Sequence, residues 1–256
     1  MSKSIYFLAA VAAVSSILVG CGGADKANKP ITMITEAGFP PYEYLEGEQI
    51  VGVDVDICRA VAEALGRELV IQDAKFDAVI PSVLAGKADL AAAGITVTED
   101  RKKSVDFSIP YVTSGIVIIS KKGAEIKDAA AAKGLRIGVQ SGTTSDTFCV
   151  ETLGQEPERY DAPATAAAAL KAGKLDLVIS DIDPAKNIIK GEDSLVISSD
   201  FLTKEEFAVA IKKGQPELLK VLNETIQSLI DSGKIEAWKA DHDARYAAVK
   251  GADEAK

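Results

Sequence analysis

The chain has 256 residues, 47% hydrophobic and 26% charged, an ordinary globular composition with room for one large or two medium domains. Its formal net charge of −9 argues against nucleic acid or an anionic lipid surface as a bulk electrostatic partner, though not against a small ligand that feels only its own pocket. His242 is its one histidine, which argues against a zinc or histidine-dependent catalytic centre. A carboxylate metal site stays open on composition alone, but no metal or other cofactor is expected.

The N-terminus reads as an export signal. Lys3 precedes an apolar stretch over residues 5–19, and about 15 apolar residues fall short of the ~20 that span a bilayer. The stretch ends Leu18-Val19-Gly20-Cys21, which resembles a bacterial lipobox, with residues 1–20 as the signal peptide and Cys21 as the lipid-bearing residue. Residues 22–29 (GGADKANK) then form a polar, flexible tether. The expected location is extracytoplasmic, with the membrane reached only through the lipid anchor, which is stable when it carries more than one acyl chain. Cys58 and Cys149 lie in apolar or alanine-rich runs and read as buried small side chains, too few for a disulfide framework.

Beyond residue 30 the chain alternates short β-type runs with helical ones. Residues 31–35 (ITMIT) predict a strand, with Gly38, Pro40 and Pro41 behind it, and 50–53 predict another. Asp54 opens a helix in which Ile57, Val61 and Leu65 recur every four residues; Asp54 or Asp56 suits its N-cap and Gly66 its end. A strand at 69–71, a helix at 76–84 closed by Gly86, and a strand at 89–95 follow, after which Thr98 can N-cap a short helix at Glu99-Asp100-Arg101. Residues 109–121 are apolar enough to cross between domains. A second unit has a strand at 135–140, the polar turn Ser141-Gly142-Thr143-Thr144, helices from about Ser145 and over 163–173, a strand at 175–180 ending at Asp181, and a strand at 195–197. A second candidate crossing strand, 207–211, leads to amphipathic helices at 217–230 and 235–246, and residues 251–256 look frayed.

This alternation predicts an α/β fold. The crossing runs bracket the second unit, so residues 113–207 are expected to form a lobe inserted into a first lobe built from 30–112 and 208–256, with the two crossing strands as hinge. The pattern A-G-K-x-D-L occurs at 85–90 and again at 172–177. Each copy follows a helical run and opens an apolar one. Ligands of open α/β sheets sit beyond the carboxyl ends of the strands, so two such strands suggest two lobes sharing one ligand.

Four strands end in polar residues: at Glu36, at Thr96, at Ser141 to Thr144, and at Asp181. With Arg101 one turn beyond Thr96, this set suits a zwitterion. Arg101 could clamp a carboxylate. Thr96 and the N–H groups near Thr143 and Thr144 could bind the same anion, and Asp181 could accept from an ammonium. Blander roles exist for each. Arg101 sits in a charged run that could be solvated surface, Asp181 could cap a turn, Thr143–Thr144 could cap a helix, and Phe39, Phe76 and Tyr42 could be core.

The segments EAGFPPYEY (36–44), IVGVDVDI (50–57), FDAVIPSVLAGKADL (76–90), AAGITVTEDRKKSVDFSIPY (92–111), RIGVQSGTTSDTF (136–148) and LDLVISD (175–181) resemble the amino-acid-binding proteins of polar amino acid ABC importers, in order and through nearly the whole mature chain. The resemblance implies a type II periplasmic-binding-protein fold and no enzymatic activity. It also implies a monomer that binds an L-amino acid for a permease and its ATPase. By position, Phe39 and Phe76 would flank the ligand side chain. The Gly94 backbone and Thr96 would bind its ammonium and carboxylate, and Arg101 would clamp the carboxylate with help from Thr143 and Thr144. Asp181 would bind the ammonium, and Glu36 would face the side chain, favouring arginine, lysine, histidine or glutamine. Histidine-binding relatives often carry serine where this chain has Ala93. The same fold also carries exported cyclohexadienyl dehydratases and ligand sensors, which remain alternatives.

Overall fold

The computed structural model describes residues 29–254; the export signal, Cys21 and most of the tether lie outside them. In chain order the elements are β1 (Ile31–Thr35), β2 (Gly38–Phe39), β3 (Glu43–Glu46), β4 (Gln49–Val51), α1 (Val53–Ala64), β5 (Leu69–Asp73), α2 (Phe76–Leu84), β6 (Leu90–Ala91), α3 (Glu99–Lys102), β7 (Val105–Phe107) and β8 (Val112–Ser114). Then come β9 (Ile116–Lys121), α4 (Ala129–Ala132), β10 (Ile137–Gln140), α5 (Thr144–Phe148) running into a π turn at Cys149–Leu153, β11 (Glu158–Tyr160), α6 (Pro163–Lys171), β12 (Leu177–Asp181), α7 (Ile182–Ile189) and β13 (Leu195–Ile197). The chain closes with β14 (Glu205–Phe207), β15 (Ala210–Lys212), α8 (Pro216–Asp231) and α9 (Lys234–Glu254).

Two five-stranded sheets organise these elements on one plan. The first has the order β5-β1-β6-β15-β7 and the second β11-β10-β12-β9-β13. In each, the first three strands run parallel and the fourth runs antiparallel to its neighbours. That fourth strand is the one fed directly by a crossing segment. The crossing segments themselves, β8 and β14, pair antiparallel with Glu205 opposite Ser114 and Phe207 opposite Val112. This is the two-lobed α/β architecture expected from the alternation of elements.

Strands buried on both faces read as continuous apolar runs, and β9 shows why. Ile116 and Ile118 point into a cluster with Ile137, Val139 and Leu177, whereas Val117 and Ile119 pack against Ala166, Leu170 and Val178 on the opposite face. In the first lobe, Ile31, Met33, Val53, Ile57, Val61, Leu222 and Ile226 form one cluster, and Val79, Val83, Ala91 and Ile95 form another. Cys58 and Cys149 are both free and buried.

The two A-G-K-x-D-L copies perform one structural task twice. Gly86 (φ 71°) and Gly173 (φ 75°) take the left-handed conformation that ends a helix at little cost only for glycine. In both, the next residue's N–H closes the turn, Lys87 onto Ser82 O and Lys174 onto Ala169 O. The aspartate then ties the incoming strand to its neighbour. Asp89 Oδ2 accepts from Thr32 N at 2.9 Å, and Asp176 Oδ2 accepts from Arg136 N at 2.8 Å.

Several expectations need correction. Helix α1 starts at Val53 with Gly52 at its N-cap, so neither Asp54 nor Asp56 caps it. The run 109–121 is interrupted at Gly115, where any Cβ would lie 2.4 Å from Thr203 O. The run 207–211 is interrupted where Val209 N turns to the Ser108 hydroxyl. The strand expected at 89–95 is regular only over Leu90–Ala91, and α9 continues beyond the expected 246 to Glu254, into the stretch expected to fray. Of the small sheet β2-β3-β4, only β4 answers an expected strand, the one at 50–53; β2 and β3 are two and four residues long, too short to show periodicity.

Asp89→Ala and Asp176→Ala should each lower unfolding stability by about 1 kcal/mol. They sit in separate sheets, so the double variant should show the sum. Urea titration checks this; no loss in either single variant would remove the assigned role.

Candidate ligand site between the lobes

The carboxyl ends of β1, β6, β10 and β12 converge where the two lobes meet, and the lobes are closed on one another. Tyr42 OH donates to Asp183 Oδ2 at 2.6 Å, and Lys239 Nζ reaches Asp183 Oδ1 at 3.1 Å. Asn187 Nδ2 donates to Pro40 O at 3.0 Å, and Lys75 pairs with Asp161 at 2.9 Å.

Arg101 is held in this junction. Thr98 caps α3, its hydroxyl accepting from Arg101 N at 3.1 Å. The neighbouring charges pair among themselves on the surface, Lys102 with Glu99 and Lys103 with Asp100. Arg101 instead turns inward. Nη1 donates to Thr96 O at 2.8 Å and Nη2 crosses to Gly142 O of the second lobe at 3.1 Å, while the guanidinium lies 5.5 Å over the half-buried ring of Phe76. A guanidinium has five N–H donors, so donors remain for an anion. Burial pulls its pKa down, opposed by the negative charges of Glu205 and Asp181.

Asp181 stands at the N-cap position of α7, yet its side chain makes no capping hydrogen bond. It is 7% exposed, and Oδ1 is buried without a partner. Burial, together with Glu205 and Asp183, drives its pKa well up, against the pull of Arg101. Glu36, just beyond β1, likewise has Oε2 buried without a partner. Its pKa is pushed up to about 7, chiefly by burial and further by Asp73 and Asp161, against hydrogen bonds from Gln140 and Gly38. An uncompensated buried carboxylate costs free energy unless a cation meets it.

The threonines are arranged more specifically than their positions suggest. The Thr143 hydroxyl donates to Gln140 O at 2.8 Å and sits at the N-cap of α5. Any donation from Thr143 to a ligand carboxylate therefore falls to its backbone N–H. The Thr96 and Thr144 hydroxyls both donate to Glu205 Oε2, at 2.5 Å and 2.8 Å. Glu205 was not foreseen; the available signal was an acid opening an apolar crossing strand. Asp146 Oδ2 accepts from Gly142 N at 3.2 Å and from Arg159 at 2.8 Å, which fixes the turn.

Asp54 was expected as a cap and does something else. Fully buried, it accepts from Gly94 N at 2.9 Å and from Tyr111 OH at 2.7 Å. Burial pushes it up to about 6 despite these hydrogen bonds. Glu43 is buried beside it, and burial together with the charges of Asp54 and Glu36 drives its pKa well up. Gly94 thus has its N–H committed to Asp54. Its φ of +55° and the Phe39 ring, 2.6 Å from where a Cβ would be, both require glycine. Phe39 itself packs against Tyr42 at 5.8 Å and Phe207 at 6.2 Å and belongs mostly to the core, as does Tyr42.

An open cavity of about 570 Å³ borders the junction, lined by Thr96, Arg101, Gly142, Thr144 and Glu205 among others. A separate cleft of about 230 Å³ between α6, α7 and α9 contains none of the expected site residues. Among the described residues, no group of three or more His, Cys, Asp or Glu could hold a metal ion. None of the described helices is long and apolar enough to cross a membrane. His242 is structural, bonded to Tyr44 OH at 3.1 Å and Asp56 at 2.9 Å.

The profile of bacterial extracellular solute-binding proteins, family 3, matches residues 31–242. The arginine-binding extracellular protein ArtP of Bacillus subtilis is 31% identical over 249 residues, covering 93% of this chain and 97% of that protein. A probable histidine-binding protein of Neisseria gonorrhoeae is 30% identical over the full length of both chains. The arginine-bound substrate-binding protein AbpA of Streptococcus pneumoniae superposes with a TM-score of 0.80 at 30% identity, over 87% of this chain and 97% of that one.

Glu36 titrates at about 7 in the folded chain against 4.5 ordinarily, so its ionisation destabilises the folded state. The penalty is absent below pH 4.5, grows as pH rises, and is complete above pH 7, at about 3 kcal/mol. Glu36→Gln should therefore melt higher than the parent at pH 8 and no higher at pH 4. Equal melting temperatures at pH 8 would contradict the assignment.

Proposed function

The chain belongs to the bacterial extracellular solute-binding proteins, family 3, and from that premise we propose that it captures an L-amino acid with a cationic side chain, arginine first among them. Its relatives in amino acid ABC transport are named as binding proteins rather than enzymes. The observation that carries the choice of ligand is the pair of desolvated acids, Glu36 from the first lobe and Asp181 from the second, each with a buried oxygen lacking a partner.

Arginine answers each feature. Its α-carboxylate meets the spare N–H groups of Arg101 and the backbone of Thr143 and Thr144. Its ammonium meets Asp181, Thr96 and the Gly94 carbonyl. Its guanidinium extends past Phe76 to Glu36 and Gln140, where Asp73 and Asp161 add negative potential. Lysine would satisfy the charge but not a bidentate fork. The arginine named for the Bacillus and Streptococcus proteins supports the same ligand.

The mechanism is closure of two lobes about β8 and β14. Residues 30–112 with 208–256 move against residues 113–207. Periplasmic binding proteins are a general precedent for hinge closure around a ligand. The ligand shifts the open–closed equilibrium because only the closed form meets both of its ends. The closed receptor, a monomer, presents its ligand to an ABC transporter permease and its ATPase. Leu18-Val19-Gly20-Cys21 supports cleavage before Cys21 and a lipid anchor, with residues 21–29 as the tether.

Calorimetry across the amino acids tests this reading. Arg101→Ala removes a group shared by all ligands and should weaken every one that binds by about 30-fold or more. Glu36→Gln should instead erode the preference for arginine over uncharged amino acids. Unchanged affinity in Arg101→Ala, or no binding of any amino acid by the parent chain, would overturn it.

A further inference from the structure

Glu205 opens β14, the returning hinge strand, and is 4% exposed. Its Oε2 gathers two hydroxyls that belong to different lobes, Thr96 Oγ1 at 2.5 Å and Thr144 Oγ1 at 2.8 Å, while Oε1 accepts from Thr203 Oγ1 at 3.1 Å. A threonine hydroxyl owns one proton and two lone pairs. With both protons turned onto Glu205, the two hydroxyls offer the cleft lone pairs only. Such a hydroxyl accepts from an ammonium and cannot donate to a carboxylate. Beside them, Arg101 has donors to spare and Asp181 has a free acceptor oxygen. The α-carbon site is thereby divided into a donor side and an acceptor side.

We propose that Glu205 is a positioning residue that fixes the Thr96 and Thr144 hydroxyls as acceptors, and so sets the site's demand for an α-ammonium group. This rests on the amino-acid reading above. Glu205 need not touch the ligand; it acts through the two hydroxyls. A ligand with the same carboxylate and side chain but no amino group would leave the Thr96 lone pairs and Asp181 Oδ1 unmet, so it is rejected. Without Glu205 the hydroxyls are free to turn and donate, and the discrimination weakens.

The probes are L-arginine and 5-guanidinopentanoic acid, which lacks only the amino group. The quantity read by calorimetry is the ratio of their affinities. In Glu205→Met, which has no acceptor oxygen, that ratio should fall by about tenfold or more. In Glu205→Gln, whose amide oxygen still accepts from both hydroxyls while its NH₂ can donate to Thr203 Oγ1, the ratio should stay within about threefold of the parent. A general loss of packing or closure would lower both affinities together and leave the ratio unchanged, and that result would overturn the proposal. A ratio that falls as far in Glu205→Gln as in Glu205→Met would overturn it too. If Glu205→Met does not fold, Thr96→Val carries the same comparison, with the same fall expected and an unchanged ratio as the contrary result. A parent chain that binds no amino acid overturns the functional reading and this inference together, whereas amino-acid binding with an unchanged ratio in the variants overturns the inference alone.

Discussion

Two carboxylates removed from water and only partly compensated form the constraint on which the rest of this structure depends. Glu36 and Asp181 come from different lobes, each with an oxygen that is buried and without a partner. Arg101 is the cation held between the lobes near Asp181, and part of its donor set is already spent on Thr96 O and Gly142 O. Closing the lobes on an empty site therefore desolvates negative charge without full compensation, and burying an ion costs several kcal/mol in a protein interior. A ligand that brings two positive groups and one negative group cancels it. On the proposed reading, that cancellation couples closure to binding.

The scaffold that brings these groups together is the same small device used twice. Both sheets place their third strand, β6 or β12, in the middle, just after an A-G-K-x-D-L turn. In both, the motif aspartate is hydrogen-bonded to the backbone of the neighbouring parallel strand. Fixing that strand fixes what lies beyond its end, Gly94 and Thr96 in one lobe and Asp181 in the other. The crossing pair β8–β14 joins the lobes and carries Glu205 to the point where the Thr96 and Thr144 hydroxyls meet. Tyr42, Asp183 and Lys239 tie the lobes on another side, at 2.6 Å and 3.1 Å.

The elements were legible in the sequence where a local rule decides them. Helix α2 has the predicted bounds because Phe76 follows a charged turn and Gly86 can take the left-handed conformation that stops it. The Thr98 cap and the strand leading to Asp181 were readable for similar reasons. What remained hidden depends on partners distant in the chain. The hydroxyl direction of Thr96 is set by Glu205, 109 residues away, and the N–H of Gly94 is claimed by Asp54, 40 residues away. Asp54 looked like a helix cap because aspartate before an apolar helical run usually is one; here Gly52 caps and Asp54 supports the cleft. Phe39 has the composition of a pocket wall, but Gly94 lets it sink against Tyr42 and Phe207.

A crystal structure of the chain with L-arginine puts the two buried carboxylates to the test. One arginine should be enclosed between the lobes, its ammonium about 3 Å from Asp181 Oδ1 and its guanidinium about 3 Å from Glu36 Oε2, with the α-carboxylate on Arg101. Arginine bound outside the junction, or bound inside it with Glu36 and Asp181 still without a cationic partner, would contradict this coupling of charge to closure.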